Sequence, residues 1–134
     1  MTFTDRFQSI RSEFDITVGL SKLRTDMMAI GLSNHDVTRV VTVASELARN
    51  ILKYAGRGYL RYSKQIDGTR EGVEVIAHDN GPGIDDLEMA LTDNYSSSGT
   101  LGLGLPGVRR LVDEFDVNSE VGVGTTVKIK IWKS

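Results

Sequence analysis

The strongest regular pattern in the chain is an amphipathic repeat that runs from Ser33 to about Ala55. Ser33, followed three residues later by Asp36, forms a weak capping box, and Gly56 is a typical helix stop. The apolar residues recur at the spacing of one helical face, at Val37, Val40, Val41, Ala44, Leu47, Ala48, Ile51 and Leu52. A helix with one apolar face of this length must pack against a second layer of structure.

The remaining patterns predict what that second layer is. Residues 125–132 alternate, with Val127, Ile129 and Ile131 on one face, which is typical of a half-buried strand. The other predicted elements are a weak strand at 6–14, a helix from Asp15 as N-cap to about Ile30, strands at 58–66 and 72–79, a short helix at 85–91, a helix over Leu105, Val108, Leu111, Val112 and Phe115, and a strand at 116–121 that pairs with 125–132. Together they predict an α+β fold: a two-layer sandwich of a mixed, mostly antiparallel sheet with helices on one face.

Length and composition narrow the possible function classes. A chain of 134 residues suits a single domain, here 1–134. The net charge of −2 gives no basic excess, so we do not expect nucleic acid as the main partner. There is no cysteine for disulfides or thiol chemistry, and His35 and His78 form no metal-binding motif. Neither a secretion signal nor a bilayer-long apolar run is present, so we expect a cytoplasmic protein without a membrane contact.

On the predicted helix 33–55, the face opposite the apolar residues carries polar side chains that could serve chemistry. Glu46 and Asn50 are four residues apart and so lie one above the other, and Lys53 follows one turn later. The amide oxygen of Asn50 could bind Mg²⁺, Glu46 could accept a proton, and Lys53 could meet phosphate charge. For the helix alone, a solvated polar face is the commoner explanation of such residues.

A second candidate region follows the predicted strand 72–79. Asp79 ends that strand and is followed by Gly81, Pro82 and Gly83. A carboxylate in this position can accept a hydrogen bond from an exocyclic amine such as N6 of adenine, and glycines let the chain pass close to a flat ring. An ordinary turn is the alternative, because Asp-Asn-Gly is frequent in turns.

The third candidate region is the glycine-rich segment 98–107, which leads into a predicted helix. Successive amides in such a segment, with the helix N-terminus behind them, form a favourable site for phosphate. The segment matches the G-x-G-x-x-G pattern, but no apolar strand precedes it, so we reject a dinucleotide-binding fold. The Gly-Lys-Ser/Thr ending of a Walker motif is absent.

In this order and spacing, the three regions resemble the motif boxes of the GHKL superfamily of ATP-binding domains. That superfamily includes DNA gyrase, histidine-kinase catalytic domains and anti-sigma-factor serine kinases. Residues 46–50 resemble its N box, 79–84 and 99–104 its two glycine boxes, and 124–126 its closing strand motif. The resemblance covers 33–132, implies the Bergerat (GHKL) ATP-binding fold, and makes a merely solvated face at Glu46 and Asn50 a poor explanation.

The resemblance also implies a site for ATP and Mg²⁺. It assigns Mg²⁺ to Asn50, the catalytic base to Glu46 and adenine to Asp79, with Thr125 supporting Asp79, through water. Other implied nucleotide contacts are Lys53, Gly81, Gly83, Ser98, Gly99, Gly102, Leu103 and Gly104. Residues 85–98 would form a lid over the phosphates.

A closer similarity is to the small serine/threonine kinases of bacterial partner-switching modules, especially the switch kinases of the stressosome. It is carried by residues 45–51, 54–58, 104–108, 113–116 and 124–126. Members of that group phosphorylate a serine or threonine of a STAS-domain partner. The switch kinase is freed by doing so, and then binds and activates a PP2C-type phosphatase.

The implied lid contains no lysine or arginine and carries the acids Asp85, Asp86, Glu88 and Asp93. Phosphate charge would therefore be neutralised by Mg²⁺, Lys53, Arg49 or backbone amides, with Arg109 and Arg110 either helping or marking a partner surface. Met27 and Met28 could belong to the core or to an interface, and we expect the core.

Three functions compete at this point. The leading hypothesis is a protein kinase, because the chain shows neither a transducer segment typical of gyrase-like motors nor a dimerisation helix with a phosphorylatable histidine. The second is an ATP-bound binding module that sequesters or activates a protein such as a sigma factor or phosphatase. A stand-alone ATPase ranks third.

Overall fold

The computed structural model describes residues 5–91 and 104–134, which form two layers, one of helices and one of strands. In chain order the elements are β1 (Asp5–Ile10), α1 (Glu13–Ala29), α2 (Asn34–Ala55), β2 (Gly58–Asp67), β3 (Arg70–Asp79), α3 (Leu87–Ala90), α4 (Gly104–Leu111), β4 (Glu114–Glu120) and β5 (Gly124–Trp132). The predicted α+β sandwich with helices on one face is therefore confirmed.

The five strands lie in the order β1-β2-β3-β5-β4. We predicted a mixed, mostly antiparallel sheet, but every pairing among the described strands is antiparallel. Two of the four pairings, β2–β3 and β4–β5, are antiparallel because they are direct hairpins, a connection that only antiparallel neighbours allow. One face of this sheet packs against the helices, and the other carries no helix from the described residues.

The core lies between α1, α2 and the helix-facing side of the sheet. Alternation along β5 is as predicted, with Val127, Ile129 and Ile131 buried. In α2 the predicted apolar face is largely correct, but Val43 is fully buried while Val41 and Leu52 are only partly buried. Burial of each such aliphatic side chain contributes about 1.5–3 kcal/mol.

The ends of α2 agree with the sequence signals. The Ser33 hydroxyl accepts the Asp36 N–H at 3.1 Å, and Gly56 ends the helix in the left-handed region at φ 81°. We expected both methionines of α1 to belong to the core. Met27 is fully buried, as expected, but Met28 is 59% exposed, so the prediction was wrong for Met28.

The start of α1 differs from the prediction. Ser12, not Asp15, is the N-cap: its hydroxyl accepts the Asp15 N–H at 3.2 Å. The Asp15 carboxylate accepts the N–H of Arg11, the residue before the cap, at 2.8 Å, and the helix begins about one turn earlier than expected. The predicted strand 6–14 therefore ends at Ile10.

The helix predicted to reach Phe115 also ends early. α4 stops at Leu111, and Asp113 donates its N–H to the carbonyl of Lys130 at 3.0 Å. Pairing with β5 captures this part of the chain, so that Phe115 lies in β4 although its spacing fits the helix.

Candidate functional site

The polar residues of α2 lie at the border of its buried face rather than opposite it. At about 100° per residue, Glu46, Asn50 and Lys53 fall within an arc of about 60°. Glu46 and Asn50 are half-buried, and Lys53 is exposed, with its Nζ 5.2 Å from the centroid of the Tyr54 ring. Within residues 5–91 and 104–134, neither the Glu46 carboxylate nor the Asn50 amide has a hydrogen-bond partner in the protein. Both groups remain available to a ligand.

Asp79 ends β3 on the helix-facing side of the sheet. Strand alternation sets this orientation, because Val73, Val75 and Ala77 are buried toward the helices and Asp79 has the same parity. One carboxylate oxygen, Oδ1, accepts the N–H of Gly81 at 2.9 Å. The other oxygen has no partner among the described residues, and the side chain is half-buried, so it can accept one further hydrogen bond.

The loop after Asp79 packs directly on the C-terminal end of α2. A Cβ on Gly81 would lie only 2.6 Å from the Cβ of Ala55, the last residue of that helix. No larger side chain fits there without moving the loop or the helix. This contact places the loop after Asp79 against the C-terminal end of the helix that carries Glu46 and Asn50.

Gly83 meets the β4–β5 hairpin in the same way. Its φ is 79°, and a Cβ would collide with the carbonyl of Glu120. The adjacent Pro82 carbonyl accepts the N–H of Gly122 at 2.8 Å. Gly81 and Gly83 thus mark two close approaches of this loop to neighbouring elements, and their role in shaping a pocket stays a prediction.

Thr125 lies opposite Asp79 in the β3–β5 register. Its hydroxyl is 2.8 Å from that of Ser119 on β4, and Ser119 also accepts the N–H of Ile84 at 2.8 Å. Ser119 therefore links the loop after Asp79 to Thr125. A direct hydrogen bond between Thr125 and Asp79 is not among those found in the described residues, and water-mediated support remains a prediction.

Ser119 was missed in the sequence. The signal that could have revealed it is the hairpin around Gly122, which places Ser119 directly across from Thr125. Residues paired across a hairpin share a face of the sheet, so a hydroxyl at 119 must lie on the side of Thr125.

The second glycine segment is only partly described. Ser98, Gly99, Gly102 and Leu103, with the part of the expected lid at 92–98, lie outside the described residues. Gly104 begins α4, which is held by buried Leu105, Pro106, Gly107 and Val108 and packs against α2. The N-terminus of α4 therefore belongs to the helical layer beside α2.

Three of the candidate cationic groups, all of them arginines, lie away from that helix start. Arg49 pairs with Glu13 of α1 at 3.0 Å and with the Ser45 hydroxyl at 3.3 Å, so its guanidinium faces α1. Arg109 and Arg110 are exposed in the last turn of α4, about 8 Å along the helix axis from Gly104. Lys53, by contrast, lies on the same stripe of α2 as Glu46 and Asn50.

The side chains of this region suit a metal ion that is held mainly by the oxygens of a bound ligand and by only a few oxygens of the protein. Among residues 5–91 and 104–134, no cluster of three or more histidine, aspartate or glutamate side chains could hold a metal ion. A half-buried Asn50 amide without a protein partner fits Mg²⁺, which commonly takes few protein oxygens and completes its shell with phosphate and water.

The described helices include none that is long and apolar enough to cross a bilayer.

Sequence comparison finds several relatives. The profile of the histidine kinase-, DNA gyrase B- and HSP90-like ATPases matches residues 35–134. The serine/threonine-protein kinase RsbT of Bacillus subtilis (strain 168) is 42% identical over 123 residues, which are 92% of each chain. An anti-sigma F factor of Clostridium beijerinckii is 33% identical over 102 residues, which are 71% of this chain and 70% of that protein.

Structural comparison agrees on the fold. The RsbU and RsbW domains of a Mycobacterium tuberculosis protein match with a TM-score of 0.68 at 16% identity, over 96% of this chain and 32% of that longer chain. The catalytic domain of histidine kinase ThkA matches with a TM-score of 0.53 at 18% identity, over 96% of this chain and 97% of the other. The two-layer sandwich is therefore the architecture of these domains.

Proposed function

The chain belongs to the histidine kinase-, DNA gyrase B- and HSP90-like ATPase family, and from this premise we propose that it is a serine/threonine protein kinase that uses ATP. The observation that carries the proposal is the packing of Gly81 on Ala55. It joins the loop after Asp79 to the helix that bears Glu46 and Asn50. The proposed site would combine an acceptor for adenine, an amide ligand for a cation and a carboxylate base.

In the proposed reaction, the hydroxyl oxygen of a partner serine or threonine forms a bond to the γ-phosphorus of ATP. The bond from that phosphorus to the β,γ-bridging oxygen breaks, and ADP leaves with that oxygen. The hydroxyl proton passes to the Glu46 carboxylate, which is half-buried and has no hydrogen-bond partner within the described residues. Glu46 is thus the base.

The nucleotide would be held at both ends. The unpaired Asp79 oxygen accepts the exocyclic amine of adenine, and the Gly81–Asp79 hydrogen bond fixes the carboxylate for that purpose. Asn50 contributes an oxygen to Mg²⁺, which supplies charge neutralisation at the phosphates. Lys53 and the N-terminus of α4 at Gly104 add further positive potential on the phosphate side.

We further propose a place for this kinase in a bacterial stress-response module. Its substrate would be a serine or threonine of a STAS-domain protein, and after transfer it would regulate a PP2C-type phosphatase in the cytoplasm. The support is the similarity to RsbT over 92% of the chain, together with the motifs at 45–51 and 104–108. The stressosome is the setting that the motifs favour.

The second candidate function is an ATP-bound regulatory module that binds a protein without phosphorylating it. The identity of 33% to an anti-sigma F factor favours it. The two functions share a nucleotide site and differ in their need for Glu46. A Glu46→Gln variant that still regulates its partner in full would favour the binding module.

The test is Mg²⁺-dependent ATP binding by calorimetry, followed by transfer of radiolabelled γ-phosphate to a purified STAS-domain protein. We expect binding that is lost on chelation of Mg²⁺, and label in the acceptor but not in an acceptor whose serine and threonine candidates are alanine. Binding without transfer to any STAS-domain protein tested would favour the regulatory module. Absence of ATP binding would contradict both functions.

A further inference from the structure

Arg39 lies on the same stripe of α2 as Glu46 and Asn50. It precedes Glu46 by seven residues, which is nearly two helical turns, so the two side chains share one side of the helix. Unlike Glu46, Arg39 is fully engaged with the protein. Its side chain is only 17% exposed, an unusually deep position for an arginine.

The guanidinium of Arg39 contacts three separate parts of the chain. Nη1 lies 3.0 Å from Oδ1 of Asp36, one turn earlier on α2. Nε donates to the carbonyl of Leu111, the last residue of α4, at 3.0 Å, and Nη2 lies 3.5 Å from Oδ1 of Asp113. A single planar group therefore ties α2 to the end of α4 and to the start of β4.

Both acids that hold Arg39 are themselves held by the protein. Asp36 is almost completely buried, and its Oδ2 accepts the N–H and the hydroxyl of Ser134 at 2.9 and 2.8 Å. Asp113 accepts the N–H of Trp132 at 2.7 Å. These hydrogen bonds anchor Asp36 and Asp113, and through them Arg39, to β5 and to Ser134 after it. Arg39 can therefore hold the end of α4 in place rather than move with it.

The contact with Leu111 acts on α4 as a whole. α4 has eight residues and is about 12 Å long, and a cation at its last carbonyls stabilises it. The axial distance from Arg39 to Glu46 is about 10 Å. The length of α4 therefore matches the axial distance from Arg39 to Glu46, which is the distance that a phosphate contact of the Gly104 end would have to span.

We propose that Arg39 is a positioning residue for nucleotide binding, which holds α4 against α2 so that the Gly104 end of α4 meets the phosphates. This inference rests on the proposed function, because it assumes ATP bound beside Glu46 and Asn50. Arg39 touches no nucleotide atom itself. Its loss should weaken the contact with phosphate and leave the adenine contacts at Asp79 unchanged.

The test compares a ligand that has phosphates with one that lacks them. The dissociation constants of Mg-ATP and of adenosine are measured by NMR titration for the wild type, Arg39→Ala, Arg39→Lys and Asp113→Asn. The matched control is Arg61→Ala, which removes another arginine ion pair, the 2.7 Å contact with Asp5, from the sheet face without helices. Melting temperatures are recorded in parallel.

We expect Arg39→Ala to raise the dissociation constant of Mg-ATP by about ten- to a hundredfold, while that of adenosine stays within about twofold. Arg39→Lys should recover part of the affinity, because it keeps the charge but not the fork of donors. Arg61→Ala should change neither constant. If Arg39→Ala melts below the assay temperature, Arg39→Lys and Asp113→Asn decide by the same comparison.

Two results would overturn the inference. One is an unchanged Mg-ATP constant in the Arg39 and Asp113 variants while the wild type binds ATP. The other is an equal loss of ATP and adenosine binding, which would make Arg39 a general support of the fold. A wild type that binds no Mg-ATP would contradict the proposed function itself, and so the two failures are distinguishable.

Discussion

The hydroxyl groups of Ser119 and Thr125 lie 2.8 Å apart across the β4–β5 hairpin, and Ser119 also accepts the N–H of Ile84 at 2.8 Å. Thr125 is in turn the register partner of Asp79. One serine thus connects the loop after β3 with the strand that flanks Asp79. Its removal should loosen the region proposed to hold adenine without touching the ligand directly.

Ser119→Ala should lower ATP affinity by about three- to tenfold, because the Ile84 N–H loses its partner and the Thr125 hydroxyl is free to rotate. Calorimetry measures the affinity. Ser63→Ala is the matched control, since the Ser63 hydroxyl accepts a hydrogen bond from Gln65 at 3.0 Å away from this region. Equal affinities of Ser119→Ala and wild type would remove Ser119 from the site.

Asp79→Asn should abolish detectable ATP binding while the protein remains folded. The amide oxygen of asparagine can still accept the Gly81 N–H, now at 2.9 Å from Asp79. Its amino group, however, cannot accept a hydrogen bond from an exocyclic amine. Calorimetry and thermal melting measure the two effects separately. Asp116→Asn, an exposed acid of β4, is the control and should bind normally, whereas full ATP affinity in Asp79→Asn would refute the adenine assignment.

Glu46→Gln should keep the ATP affinity and lose phosphate transfer by about a hundredfold or more. Glutamine preserves the size of the side chain but cannot take the proton from the acceptor hydroxyl. The measurement is the initial rate of label transfer at saturating ATP. Glu13→Gln, which alters only the exposed pair with Arg49, is the control. Normal transfer by Glu46→Gln would mean that another group is the base.

Two glycines of the β4–β5 hairpin should respond differently to alanine. At Gly124 the φ is 147°, and a Cβ would collide with the carbonyl of Asp79 and lie 2.9 Å from the Cα of Asn80. At Gly122 the φ is 81°, but no atom lies within 4 Å of a Cβ. Gly122→Ala should therefore cost about 1 kcal/mol in backbone strain, whereas Gly124→Ala should cost clearly more.

Urea denaturation of the two variants measures this difference. ATP affinity should fall in Gly124→Ala only, because the collision displaces the end of β3 on which Asp79 lies. Similar unfolding free energies for both variants would show that the close approach at Gly124 is relieved without consequence.

The pH dependence of stability should depend on Asp36. Burial raises the pKa of this carboxyl, but the hydrogen bonds from Ser134 and Arg39 outweigh that effect and hold the pKa below its ordinary value. A lowered pKa in the folded state stabilises the protein above the unfolded-state pKa of about 3.9, and this contribution is lost as pH falls through the folded-state pKa.

The test is urea denaturation of wild type and Asp36→Asn from pH 6 down to about pH 3. The wild type should be the more stable protein at pH 6, and the difference should shrink as the pH falls. Asp67→Asn, which lies in the exposed β2–β3 turn with Arg70, is the control. A difference that stays constant with pH would show that the charge of Asp36 does not contribute.

Much of the local structure followed from short stretches of sequence. The bounds of α2 are set by Ser33 and Gly56, which satisfy or terminate backbone groups within one turn, so neighbours in sequence suffice to predict them. The same signals misled at α1, where both Ser12 and Asp15 are acceptable caps. The structure distinguishes them, because the Ser12 hydroxyl accepts the Asp15 N–H while the Asp15 carboxylate accepts the N–H of Arg11.

The predicted functional residues also divide into those whose direction is set by local structure and those whose direction is set by tertiary packing. Glu46 and Asn50 share a side of α2 because the helix repeat dictates it, and Asp79 faces the helices because strand alternation dictates it. The guanidinium of Arg49, by contrast, could bind phosphate, but it pairs with Glu13 because α1 packs on that side of α2. The residues around Arg49 in the sequence cannot show where a helix more than 30 residues earlier packs.

The sequence by itself determined the family, most of the elements and most of their apolar faces, because periodicity, caps and glycine spacing act over a few residues. Only the tertiary structure decided which groups meet. Three contacts between different elements illustrate this. Gly81 packs on Ala55, the Ser119 hydroxyl contacts that of Thr125, and Arg39 donates a hydrogen bond to the carbonyl of Leu111. Such contacts depend on how whole layers of α-helix and β-sheet pack, and that packing is set by the entire core at once.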